Sequence, residues 1–327
     1  MSQEKDIAKL KNKLNKISLK IQSKIDIINS TTETSKRFWN SIQVSLAKNY
    51  EELRGQYKIW NDSIIPKYYK INVQEDIAKI KKMKFRPNVN IKYRTFIKKD
   101  INTQSINALL NSSTSTMLLA LDGGEKQLNR LLNLTQQINI GEKSVNKFLN
   151  EGFLKGAEGI KDPTKMVGKG STYGAKKNLQ KELMKKSIDG KYISIINKNG
   201  KLMQWKISTY AELVARTKLR EAQSISTINT GLAYGTDLVQ VSSHNTTTPI
   251  CLPFEGKVFS VTGKDKEFPV LIDMPPFHPN CLHVITTVFQ EVLEHRGIQK
   301  YIDFSSGKSE IHPTRRGHIP ISQRGSA

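Results

Sequence analysis

Apolar residues near the start of the chain recur at Ile7, Leu10, Leu14, Ile17 and Ile21, and then at Ile28. Alternating steps of three and four place them on one stripe of a helix, as in a coiled-coil seam. Lys24 takes the next seam position with Ile25 beside it, so the repeat is expected to weaken there. Ser30-Thr31-Thr32-Glu33 supplies cap-type residues, which predicts the end of one helix and the start of another. The second stripe is Trp39, Ile42, Leu46, Tyr50, Leu53, Tyr57, Trp60 and Ile64, and it is expected to end before Pro66. Large aromatics at helical spacing fill packing seams far more often than they line ligand boxes. The two segments therefore predict a long helical hairpin, or an extension that needs a partner face. From Pro87 to Leu154 the pattern is helical again. Asp122-Gly123-Gly124 is expected to break it as a turn, and Leu128, Leu131, Leu132 and Leu134 begin the following helix.

Residues 152–176 then hold six glycines with lysines and one proline, which predicts a flexible connection and a boundary near 160. No spacing there builds a phosphate-cradling P-loop, and Gly168-Lys169-Gly170-Ser171 lacks the required loop length. From Lys191 the period changes. Tyr192–Ile196, Asn199-Gly200 and Leu202–Ile207 read as a hairpin, because Asn-Gly supplies the positive-φ residues of a tight primed turn. Ser208 or Thr209 then caps a helix through Tyr210, Leu213, Val214, Thr217, Leu219, Ala222, Ile225 and Ile228, which is expected to stop near Gly231. Leu238–Ser242 alternates as a strand and delivers the chain to His244.

Charge sharpens this division. The 327 residues carry 52 Lys and Arg against 29 Asp and Glu, a net charge of +23. Of these, 43 basic and 21 acidic groups precede residue 244. The densest stretch, Ile77–Lys99, holds Lys79, Lys81, Lys82, Lys84, Arg86, Lys92, Arg94, Lys98 and Lys99 and no acid. Such a stretch suits the sequence-independent phosphate term, in which each neutralised phosphate releases counterions; the plainer alternative is a solvated lysine-rich surface. No apolar run approaches the ~20 residues that span a bilayer. MSQEKDIAKLKNK has no apolar h-region, so a soluble protein made in a reducing cytoplasm is expected.

Histidine and cysteine are distributed the other way, since all six His and both Cys lie at or after residue 244. His244 precedes Pro249-Ile250-Cys251, and Pro275-Pro276-Phe277-His278-Pro279-Asn280-Cys281-Leu282-His283 follows. Prolines stiffen both cysteine turns. Cys251, His278, Cys281 and His283 could complete a tetrahedral Zn²⁺ set, with His244 as a substitute, although no standard finger spacing is present. The alternatives are two buried thiols that act as small hydrophobes, or a Cys251–Cys281 disulfide in an oxidising compartment. His278, Asn280 and His283 are spaced too closely for a metal-dependent ββα nuclease. Cys251 with His278 would be the pair for a Cys-His hydrolase.

The hairpin is followed by Tyr210-Ala211-Glu212-Leu213-Val214-Ala215-Arg216-Thr217 and Val241-Ser242-Ser243-His244. After them come Cys251-x-Pro253-Phe254-x-Gly256-Lys257-Val258-Phe259-Ser260 and Pro275-Pro276-x-His278-Pro279-Asn280-Cys281-x-His283. This order resembles the tailed-phage minor capsid (head morphogenesis) proteins of the Mu F-like group, especially the branch called phage minor capsid protein 2. The resemblance covers about residues 188–290, and His244, Cys251, Gly256, Lys257, His278, Pro279, Asn280, Cys281 and His283 are its motif residues. Thr248 and Leu282 stand where those relatives carry arginine. The resemblance implies a non-enzymatic virion protein, present in few copies inside the head. Its implied partners are the portal, other head proteins and packaged DNA, with a host-cytoplasmic stage during assembly. A His/Cys-site effector (nuclease or toxin-like) and a stand-alone basic DNA-binding protein are the alternatives.

The expected fold class is α+β, with a long N-terminal helical region and a small Mu F-like α+β module. The expected division is a helical arm over 1–75, a basic helical region over 76–160, a linker over 161–187, the module over 188–295 and a mobile basic tail over 296–327. No cofactor is expected apart from the structural Zn²⁺ considered above.

Overall fold

The computed structural model describes residues 2–31, 35–83, 87–140, 192–196 and 200–295. The expected linker and tail, together with Lys84 and Arg86, lie outside the described residues. The described chain is α+β. It contains the helices α1 (Gln3–Ser30), α2 (Lys36–Lys82), α3 (Tyr93–Phe96), α4 (Asp100–Ile140), α5 (Ile207–Ala233) and α6 (Gln290–His295). The strands are β1 (Ile193–Ile196), β2 (Leu202–Trp205), β3 (Leu238–Val241), β4 (Val258–Ser260) and β5 (Ile285–Thr287). Two compact units form, each from two stretches of chain: Met1–Asn61 with Thr114–Val214, and Asp62–Ser113 with Ala215–Ala327.

In the first unit the seam of α1 is buried from Ile7 to Ile28. It does not weaken at Lys24, because Ile25 is buried in its place: one step of four replaces a step of three and keeps the stripe on the same face. The α2 aromatics Trp39, Tyr50 and Tyr57 are fully buried, as a packing seam requires. Trp60 Nε1 donates to the Asp6 carbonyl at 3.0 Å and Lys20 meets Glu52 at 2.8 Å, so α1 and α2 run antiparallel. Arg54 joins Glu51, Asp122 and Glu125 in one ionic cluster. The hairpin β1–β2 pairs Ile193 with Trp205 and Ile196 with Leu202, and Gly200 has φ +74° at its turn.

Two expectations about breaks are overturned. Asp122-Gly123-Gly124 is not a turn, because α4 passes through it without interruption. Gly124 is needed there because the Tyr192 backbone lies against the helix: a methyl group at Gly124 would sit 1.8 Å from the Tyr192 carbonyl oxygen. That same oxygen accepts the buried Tyr50 hydroxyl at 3.0 Å. Nor does α2 stop at Pro66. It continues to Lys82, with Ile65, Tyr68, Tyr69, Val73, Ile77 and Ile80 extending the buried stripe. An interior proline costs about 3 kcal/mol, and burial of this many large side chains, at about 1.5–3 kcal/mol each, outweighs it.

The second unit contains a three-stranded antiparallel sheet in the order β4-β3-β5, with Val239 opposite both Phe259 and Thr287. A chain of hydrogen bonds runs through its polar interior. Asn229 Nδ2 donates to Tyr69 Oη at 2.7 Å, Tyr69 donates to Asn102 Oδ1 at 2.8 Å, and Asn102 Nδ2 donates to the Phe96 carbonyl at 2.8 Å. Burial pushes the Tyr69 phenol up to about 12. Helix α5 runs past Gly231 and ends two residues later. Gly235, at φ +87°, lets its own N–H reach Leu232 O while the Thr236 N–H reaches Gly231 O. These paired bonds satisfy the last carbonyls as a Schellman motif does. Gly231 serves another purpose, since a methyl group there would lie 3.0 Å from Thr287 Cγ2.

Candidate functional site

Both cysteines occupy the last position of a tight turn whose second residue is proline. In Thr248-Pro249-Ile250-Cys251 the Cys251 N–H donates to Thr248 O at 3.0 Å. In His278-Pro279-Asn280-Cys281 the Cys281 N–H donates to His278 O, also at 3.0 Å. Asn280 has φ +65°, the conformation that a type II turn asks of its third residue and that asparagine tolerates well. Helix α5 holds the second loop, because Ser224 Oγ donates to Pro275 O at 2.8 Å and Arg220 Nη1 to Leu282 O at 3.3 Å. The Pro275–Pro276 peptide is cis.

These turns bring the two thiols together in the core of the second unit, with Sγ atoms 4.0 Å apart and no disulfide between them. Phe254 stacks on Phe277 at 4.4 Å, and Val241, Phe259, Met274 and Ile285 belong to the same cluster. Cys251, His278 and Cys281 each place a ligand-type atom within 4.8 Å of the others. His278 is half-buried, and its Nδ1 lies 2.7 Å from the Pro279 carbonyl. A carbonyl only accepts, so in this contact Nδ1 carries the proton and Nε2 keeps its lone pair.

His283 falls outside that group of three. Its Nδ1 is 3.5 Å from Cys281 Sγ, and its Nε2 is 3.5 Å from Glu255 Oε1. Glu255 accepts the backbone N–H groups of His244 and Thr246, the latter at 2.9 Å. Burial alone would raise the Glu255 carboxyl, but these donors and the His283 ring hold it below the ordinary carboxylate value. Burial pushes the His283 imidazole down against the opposing pull of Glu255. His244 is exposed, with Nε2 at 2.9 Å from Ser242 Oγ and its ring edge-on to His283 at 5.0 Å. Ser242 Oγ also accepts the Val284 N–H at 3.0 Å, which locks the end of β3 to the start of β5 beside His283.

Of the four ligands expected from sequence, the fold thus unites three and turns the fourth toward a carboxylate. Glu255 was not among the candidates. The signal for it was its place just before Gly256, whose φ of +73° turns the chain into β4. Lys257 leads that strand by backbone contact, its carbonyl accepting the Val241 N–H at 3.0 Å. The succession Cys281, His283, Glu255 has the connectivity of nucleophile, base and orienter, but Cys281 and His283 are only 4% and 3% exposed. A substrate carbonyl has no approach to a thiol so enclosed.

The basic stretch lies elsewhere in the second unit. Lys79, Lys81 and Lys82 close α2, Lys92 and Arg94 flank the start of α3, and Lys98 and Lys99 precede α4. All seven are exposed, and Lys79 meets Asp76 at 3.4 Å. No described helix is long and apolar enough to cross a membrane.

Residues 168–299 match the family model described as phage minor capsid protein 2. The match covers less than half of the chain, so the similarity belongs to this C-terminal stretch. No curated protein matches the chain. No solved structure matches it either.

Proposed function

We propose that this protein is a low-copy minor component of a tailed-phage head, seated inside the capsid near the portal. In this reading the stiff C-terminal module docks to head proteins, while the basic segment contacts packaged DNA without sequence preference. The observation that carries the proposal is the family match over residues 168–299. The DNA contact is supported by the seven exposed basic side chains between Lys79 and Lys99, of which Lys79 meets Asp76 at 3.4 Å. Each phosphate that such a segment neutralises adds about 0.9 to the logarithmic salt dependence of binding. The enclosure of Cys251, Cys281 and His283 favours a structural role for the cluster and no catalysis.

The deciding experiment is quantitative mass spectrometry of purified particles before and after DNA ejection. A few copies per full particle are expected, and loss on ejection would mean that the protein leaves with the DNA. Absence from particles that hold every other head protein would overturn the proposal.

A further inference from the structure

We propose that Cys251, Cys281 and His278 bind a zinc ion that staples the two proline turns of the C-terminal module together. Four features of the geometry point to a metal. First, two thiolates bound to one zinc at about 2.3 Å in a tetrahedron stand about 3.8 Å apart, and the two sulfurs here are separated by 4.0 Å. A disulfide would need about 2.05 Å. Second, the Pro279 carbonyl holds the proton of His278 on Nδ1, which leaves Nε2 as the lone-pair donor. Metal-bound histidines are oriented in this way, donating the other ring N–H to a carbonyl or carboxylate. Third, His278 and Cys281 are the first and last residues of one turn, so their spacing is set by backbone and not by flexible side chains. Fourth, the thiols are enclosed while His278 is half-buried, which leaves the ion a path in from the His278 side.

Binding replaces the two thiol protons, which pass to solvent, and leaves a neutral unit of one Zn²⁺ and two thiolates. Such a unit suits the surrounding phenylalanine and aliphatic side chains better than a bare ion would. His283 stands behind Cys281 with Nδ1 3.5 Å from its sulfur, and Glu255 stands behind His283. They therefore belong to the shell that orients the ligands. Water would complete the coordination.

The test uses the full-length chain, purified without chelator under non-oxidising conditions, with metal content read by elemental mass spectrometry. One zinc per chain is expected. After chelation, Co²⁺ should restore one equivalent, with the intense near-ultraviolet charge-transfer bands of thiolate ligation. Cys281→Ser should abolish both signals. Because that change falls in the core, His278→Ala at the half-buried rim provides the second variant: it should keep the native circular dichroism and lose stoichiometric metal. His283→Gln should weaken zinc by about 10–100-fold without removing it, as outer-shell changes do. Wild-type protein without stoichiometric zinc would overturn the proposal. So would a folded His278→Ala protein with unchanged metal affinity, or an intact mass two hydrogens light, which would reveal a disulfide.

Discussion

The helical seam of the first unit and the cysteine turns of the second are both tightly packed, yet they are specified in different ways. In α1 and α2 the buried positions repeat, and every member does the same job: it fills a slot along a stripe. The shift from Lys24 to Ile25 shows that such a stripe absorbs a one-residue irregularity, because helical neighbours on the same face are interchangeable. In the second unit no position is interchangeable. Pro279 sets one backbone angle, Asn280 adopts another, and Cys281 must end where Cys251 ends. Redundancy stabilises the first region; individual turn geometries stabilise the second.

The largest expected effect tests the one place where the seam region is not redundant. Gly124→Ala should destabilise the first unit by about 3 kcal/mol or more, because neither the α4 backbone nor the Tyr192 carbonyl can give way to a methyl group 1.8 Å from the oxygen. Denaturant unfolding measures this, and a change within error would refute the close approach. Next in size, Leu14→Ala should cost about 2–5 kcal/mol, whereas Ile25→Leu should cost less than about 1.5 kcal/mol. Equal costs for the two would break the idea that the seam tolerates shape but not loss.

At the turns the order of tolerance reverses. Asn280→Gly should be nearly neutral, and Asn280→Val should cost about 1–2 kcal/mol through its positive φ. If valine is accepted as well as glycine, the turn is not held as described. The smallest expected gain is from Gly55→Ala in α2, where a methyl group meets nothing within 4 Å. This change should stabilise by about 0.5–1 kcal/mol.

Acid–base behaviour separates two carboxylates of the second unit. Asp76 is raised by burial, against the Thr227 hydroxyl at 2.7 Å. Its contribution is therefore fully present below the ordinary carboxylate value of about 4 and is lost as pH rises through its raised pKa. Asp237 is partly desolvated, which alone would raise it, but donors from Thr262 and Ser260 carry it below the ordinary value. Its contribution is present above about 4 and is lost as pH falls through the lowered pKa. Asparagine resembles the protonated carboxyl, so Asp76→Asn and Asp237→Asn should both follow wild type at low pH and part from it in opposite directions as pH rises, Asp76→Asn becoming the more stable and Asp237→Asn the less stable relative to wild type. Divergence in the same direction would contradict one of the two environments.

The amphipathic helices, the hairpin turn at Gly200 and the strand leading to His244 were legible in the sequence, because periodicity and turn chemistry are local properties. Cys251, His278, Cys281 and His283 stood out in the sequence as one candidate set, because prolines beside scarce ligand types are conspicuous in a chain this poor in cysteine. The contacts that two glycines make were not legible. Gly124 and Gly231 look like helix breakers, but their purpose is to admit the Tyr192 carbonyl and the Thr287 side chain, partners 68 and 56 positions away. Pro66 was misread for the same reason, since burial along the rest of α2 outweighs a local penalty. Glu255 gained its place from the His244 and Thr246 backbone groups and the His283 ring, which only the folded loops bring to it. Sequence by itself determined which residues want to be inside, which turns can form and where the charge lies. Tertiary structure alone decided which glycine is a contact and which histidine joins the thiols, because those outcomes depend on distances between segments remote in the chain.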